Sequence, residues 1–367
     1  MARLNAVTKL ENPELESLVS TACALDVAFF DTAERYGSHL KTALGFGWGE
    51  TEMLTREMLK RQAQIAGENS VKSAIIATKF TPTPWRTDPQ SVVKACEESC
   101  ERLGVSSIPL YQLHMPDIVQ PAARFLGEQE RRDKDEIYWE GLAECYHSGI
   151  VQNVGVCNYG PTLLARCQEA LGKRGVPLAS NQIAYSLIGR HNGAQETVDA
   201  CNRLGIQAIA YFPFAMGLLT GKYKSDGSKI FNQMNSLSDI SLFSSKKTPL
   251  ETRDLNKYLN GNGRSIPMGG ILPLLQVMEG IAQRRNKTVS QVALNYVMCK
   301  GVIPIPGART AAQVEDNFGA LGWRLSGEEI QVLEHESDRL GFGFEGAGFK
   351  RTSEKFVGYG VEKWALN

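Results

Sequence analysis

Short apolar runs alternate with longer stretches in which apolar and polar positions follow a helical period. The runs are VAFFDTA (27–33), AIIATKF (74–80), IPLYQLH (108–114), VQNVGVCN (151–158), ASNQIAYS (179–186), QAIAYFPF (207–214) and GVIPIPGA (301–308). Each is short, nearly continuous in hydrophobicity and rich in β-favouring residues, the pattern of parallel strands covered on both faces. Between them NPELESLVSTACALD, DPQSVVKACEESCERLG, YWEGLAECYHSG, AQETVDACNRLG and VSQVALNYVMCKG predict helices. Asp88 before Pro89 predicts a helix start, an acid capping free N–H groups and a proline at the first helical position. Gly104, Gly149, Gly205 and Gly301 stand where helices should close on a left-handed residue. Strand and helix in alternation predict βαβ units.

Polar residues fall at one place in this pattern. Asp31, Lys79, His114 and Asn158 each stand at or near the carboxyl end of a different predicted strand, and Gln182 lies inside ASNQIAYS. In a parallel barrel these ends form one rim, where barrel active sites are built. A doubly wound sheet would gather them too, but no GxGxxG follows the first strand. The glycines of GFGWGE (45–50) follow no strand and read as a loop.

Composition narrows the partners. Forty basic and forty acidic side chains cancel, which argues against nucleic acid or an anionic membrane and leaves a small molecule as the expected partner. No stretch approaches the roughly 20 apolar residues of a membrane span. Eight cysteines without CxxC spacing suggest neither a metal site nor a disulfide framework, and fit a reducing compartment. A cytoplasmic location is the default expectation.

The rim residues suggest proton chemistry. Tyr36 lies in the loop after Asp31; a free phenol titrates at about 10, and a nearby ammonium, Lys79, is expected to lower that value. Asp31 would hold the lysine, and His114 would orient a substrate carbonyl toward the phenol. Singly, each has a plain structural reading: a turn cap, an aromatic lid, a snorkelling lysine, a rim histidine. Their arrival together at strand ends favours a proton-delivery site.

DTAERYG, the lysine of IIATKF, LHMPD, VGVCNYG, NQIAYS, YFPFAMGLLTGKY and IPGARTAAQVEDNFGAL, in this order, resemble the aldo-keto reductases from about residue 13 to residue 335. The resemblance implies a (β/α)8 TIM barrel over residues 1–340 that binds NADPH and reduces an aldehyde or ketone. It implies Asp31, Tyr36, Lys79 and His114 as the catalytic set, with Tyr36 as proton donor. It places Asn158 and Gln182 at the nicotinamide carboxamide, with Cys157 beside them, and Tyr211 stacked on the ring. It places Gly307, Arg309, Gln313, Asp316 and Asn317 at the adenosine-phosphate end. Arg309 suits a 2′-phosphate because a guanidinium pairs with it as a permanently charged fork.

Departures from the family pattern are equally specific. Cys157 and Phe212 stand where serines are usual, and Met115 where tryptophan is frequent. Seven strands are predicted, and the first family strand is expected to be missing, because only about a dozen residues precede the first helix. That absence and Cys157 keep open a second reading, a nicotinamide-binding regulatory or scaffold subunit with little turnover. Residues 225–268 are expected to form a long loop insertion beside the cofactor, and 341–367 a tail over the substrate mouth or the barrel wall. The expected assembly is a monomer or weak homo-oligomer. Some plant relatives work in plastids, and the sequence neither shows nor excludes a transit peptide upstream, so a plastid location stays open beside the cytoplasmic default.

Overall fold

The computed structural model describes residues 13–26, 29–36, 48–83, 85–116, 132–191, 193–222 and 270–340. The expected insertion (225–268) and tail (341–367) lie outside these residues, as do the first twelve.

The seven strands are β1 (Phe29–Asp31), β2 (Ile75–Phe80), β3 (Leu110–Leu113), β4 (Val154–Cys157), β5 (Leu178–Ala184), β6 (Gln207–Tyr211) and β7 (Ile303–Pro304). They form one parallel sheet in sequence order. The helices are α1 (Pro13–Ala24), α2 (Glu50–Ala66), α3 (Pro89–Leu103), α4 (Arg132–His147), α5 (Pro161–Gly172), α6 (Ala194–Leu204), α7 (Leu272–Arg285), α8 (Val289–Cys299), α9 (Ala311–Phe318) and α10 (Gly327–Asp338). Every strand and helix predicted above is present, α2, α5, α7 and α10 add to them, and Gln313, Asp316 and Asn317 fall on α9. Helix α3 starts as expected, with the Asp88 carboxylate accepting from the Ser91 N–H at 2.8 Å. Its end turns through Gly104 at φ 69°, a conformation that a side chain would strain.

Period-two alternation sorts the strand residues. Ile76 and Phe80 of β2, Tyr111 and Leu113 of β3, Val154 and Val156 of β4, and Ile183 of β5 join the main core with residues of α3–α8. Burying each such side chain contributes about 1.5–3 kcal/mol. The alternate positions face inward. Phe29, Ala77, Leu110, Ile209 and Ile305 meet in a separate small cluster although they come from five different segments. Only a sheet curled into a barrel brings them together. Among the described residues β1 and β7 are the sheet edges. Helix α1 lies there, its Leu18, Val19 and Ala22 packed against Ala308 and Val314, with Phe30 and Met58 alongside.

A buried acid ties the wall together. Glu52 of α2 accepts from Thr78 Oγ1 of β2 at 2.5 Å and from Arg102 Nε of α3 at 2.6 Å. Burial pushes its carboxyl above the usual range, against the pull of Arg102.

Candidate active site

One step along each strand from the apolar cluster, the inward positions become polar. Asp31, Lys79, Gln112, Cys157, Ser180 and Gln182 are all buried. Register explains the meeting of two of them, since Lys79 pairs with Gln112 across β2 and β3.

Lys79 has no solvent exposure, and its ammonium is held on three sides. It donates to Asp31 Oδ2 at 2.5 Å, to the Thr32 carbonyl at 2.8 Å and to the Tyr36 hydroxyl at 3.4 Å. Burial works to lower its pKa, but Asp31, Tyr36 and Cys157 outweigh burial and hold it above the ordinary lysine value. The Tyr36 ring meets the His114 ring edge to face at 5.4 Å. Acid, amine, phenol and imidazole from three segments therefore converge.

The expected lowering of the Tyr36 pKa is corrected. Burial is the larger effect and raises it, with Lys79 as the leading opposing influence. His114 is held well below its ordinary value by burial, then by the charges of Lys79 and Arg35, so its imidazole is neutral at pH 7.

A second chain of bonds runs from this group. Gln182 Nε2 donates to Asp31 Oδ1 at 2.9 Å. Asn158 Nδ2 donates to the His114 carbonyl at 3.2 Å, and its Oδ1 accepts from the Tyr211 hydroxyl at 2.7 Å. Asn158 adopts φ 63°, and Phe212 adopts φ 57°, an outlying conformation for a bulky residue and one that marks the rim as constrained. Cys157 turns into the barrel, its thiol 3.9 Å from Gln112 Oε1, and burial pushes the thiol pKa up.

The adenosine-phosphate candidates lie around the start of α9. Thr310 caps the helix, and the Gln313 side chain reaches back to accept the Arg309 N–H at 2.7 Å. Gly307 and Arg309 are exposed, and Asn317 is half-buried on α9. Among the described residues the Arg309 guanidinium has no acidic partner. The Asp316 carboxylate accepts from Thr288 Oγ1 at 2.8 Å and from Gln291 at 3.2 Å, which ties α9 to the start of α8.

Four residues near the site escaped the sequence reading. Buried Glu34 and half-buried Arg86 form a two-pronged ion pair, with contacts of 2.5 and 3.1 Å. The Glu34 Oε1 also accepts the Thr81 N–H at 2.5 Å, while Arg86 donates to the Thr81 carbonyl at 2.9 Å. Gln112 is wholly buried, 3.5 Å from Asp31 Oδ1. Glu34 lies in the DTAERYG run, but nothing in the sequence pairs it with an arginine 52 positions away.

Residues 1–336 match the Aldo/keto reductase family. The chain belongs to this family. As an aldo-keto reductase it is an oxidoreductase on a (β/α)8 barrel, and the open parallel sheet seen here is seven strands of that barrel. It is 35% identical over 322 residues to the chloroplastic pyridoxal reductase of Arabidopsis thaliana, a match covering 88% of this chain and 76% of the relative. It is 30% identical over 322 residues to an uncharacterised oxidoreductase of Mycobacterium bovis, covering 86% and 79%. Among solved structures, the Bombyx mori aldo-keto reductase in complex with NADP aligns with a TM-score of 0.59 at 20% identity, covering 91% of this chain and 87% of that one. No helix among the described residues is long and apolar enough to cross a membrane.

Proposed function

We propose that this aldo-keto reductase reduces the carbonyl group of an aldehyde or ketone to an alcohol, with NADPH as reductant and Tyr36 as proton donor. The observation that carries the reading is the Tyr36 hydroxyl 3.4 Å from a fully buried, Asp31-paired Lys79, beside the His114 ring. NADPH, when bound, supplies a hydride to the carbonyl carbon. The chain's own groups handle the proton and the charge on oxygen. A phenol of raised pKa stays protonated at pH 7 and so retains the proton that the carbonyl oxygen needs as negative charge develops there. Lys79, kept charged by Asp31, stabilises the phenolate left behind. Neutral His114 donates one hydrogen bond to the same oxygen and fixes the carbonyl against Tyr36.

The cofactor assignment rests on the fit of residue types. Asn158 and Gln182 offer two amides at adjacent strand ends for a primary carboxamide, and the Tyr211 ring lies beside Asn158. Exposed Arg309 before the amino end of α9 suits a 2′-phosphate, favouring NADPH over NADH. The similarity to a pyridoxal reductase makes pyridoxal the first aldehyde to try, and a plastid the first compartment to examine beside the cytoplasm.

The test is loss of NADPH absorbance with pyridoxal and a panel of aldehydes and ketones. Turnover that Tyr36→Phe removes while NADPH binding survives is the expected result. NADPH binding without turnover on any carbonyl compound would transfer support to a regulatory, cofactor-binding subunit.

A further inference from the structure

The chemistry proposed above needs His114 to be neutral and also to carry its one ring hydrogen on a particular nitrogen. An imidazole has two candidates, and only the partner of one nitrogen decides which is protonated. Nδ1 stands 3.3 Å from Thr81 Oγ1. Thr81 has no solvent exposure, and among the described residues its hydroxyl has no hydrogen-bond partner other than this nitrogen. If Nδ1 bore the hydrogen, the buried hydroxyl proton would have no acceptor, a loss that disfavours that tautomer by about tenfold.

Thr81 is not free to turn away. Its N–H is fixed by Glu34 and its carbonyl by Arg86, the same two residues that pair with each other in a part-buried ion pair. The Arg86 guanidinium lies over the Phe80 ring at 4.6 Å and the Trp48 ring at 4.9 Å, and the Arg86 carbonyl accepts from Tyr138 at 2.8 Å. The clamp thus joins the loop after β1, which carries Tyr36, to the loop after β2, which carries Thr81.

We propose that Thr81 is a positioning residue that sets the His114 tautomer: its hydroxyl donates to Nδ1, leaving the hydrogen on Nε2 for the substrate carbonyl oxygen. Glu34 and Arg86 hold Thr81 in register for this task. The inference rests on the reductase reading for its purpose, but the tautomer can be measured without turnover.

The experiment is nitrogen-15 NMR of the histidine side chains in the full chain, with the His114 signals identified by their loss in His114→Gln. The wild type should show Nδ1 as an unprotonated, hydrogen-bonded nitrogen and Nε2 as protonated. Thr81→Val should give a mixture of tautomers and lower kcat for reduction by about twofold, in step with the lost Nε2-protonated fraction, with NADPH affinity unchanged, and Thr81→Ser should restore both. A wild-type His114 protonated on Nδ1, or a Thr81→Val protein with an unaltered tautomer and kcat, overturns the proposal. The wild-type spectrum decides even if Thr81→Val fails to fold. Retention of turnover in Tyr36→Phe would instead defeat the reductase chemistry and leave the tautomer measurement standing.

Discussion

Gln182 donates to Asp31 across the barrel interior at 2.9 Å, although 151 positions separate them. The acid thus accepts from Lys79 through one oxygen and from Gln182 through the other. The residue proposed for the nicotinamide also braces the group that keeps Lys79 charged, so the proposed cofactor site and proton site share one buried side chain. Changes at either should be felt at both.

Removing the phenol is the most direct trial of the chemistry. Tyr36→Phe keeps the ring and its contact with His114 but deletes the proton. Reduction should slow by about 10²- to 10⁴-fold in steady-state assays, with NADPH binding by fluorescence unchanged. A loss confined to KM would contradict the assignment.

Asp31→Asn should cost stability as well as rate. It leaves the fully buried Lys79 without its counter-ion, a defect of about 3–5 kcal/mol measurable by urea denaturation. The folded lysine pKa is raised, so the pair's contribution is complete below the unfolded value of about 10.4 and is lost as pH climbs through the folded one. The stability gap between wild type and variant should therefore hold at pH 7–9 and shrink only in stronger alkali.

The pH profile of kcat tests the electrostatics. His114 titrates well below the ordinary value of about 6.5, so no acid limb from its protonation should appear near that pH. Burial raises the Tyr36 pKa, which moves the alkaline loss of the proton donor above the ordinary phenol range of about 10. A half-maximal rate at about pH 6.5 that disappears in His114→Gln would refute the first statement.

Cofactor choice should depend on one exposed cation. Arg309→Met is expected to weaken NADPH by about ten- to a hundredfold, in keeping with the loss of a charge-assisted pair, and to leave NADH nearly unaffected. Equal losses for both dinucleotides would remove Arg309 from the phosphate assignment.

Much of this was legible in the sequence because period and position carry it. The seven apolar runs became the seven strands, and Asp31, Lys79 and His114 met because parallel strands end on one side. What the runs could not reveal depends on which side chains touch across the fold. The bond between Asp316 on α9 and Thr288 at the start of a neighbouring helix has no mark in the sequence around either residue. The Tyr36 pKa moved against expectation because the sequence reports a nearby lysine but not the depth of burial. Glu34 and Arg86 carry no local signature, since an ion pair between two loops is created only once β1 and β2 lie side by side.

The apolar plug of Phe29, Ala77, Leu110, Ile209 and Ile305 gives traffic through the molecule a direction. Among the described residues this packing fills the barrel beneath the reactive layer, so the proposed dinucleotide and carbonyl compound are both expected on the rim side of it. Two ligands meeting on one side should hinder each other's passage, and product-inhibition kinetics that show a fixed order of release would be the sign of it.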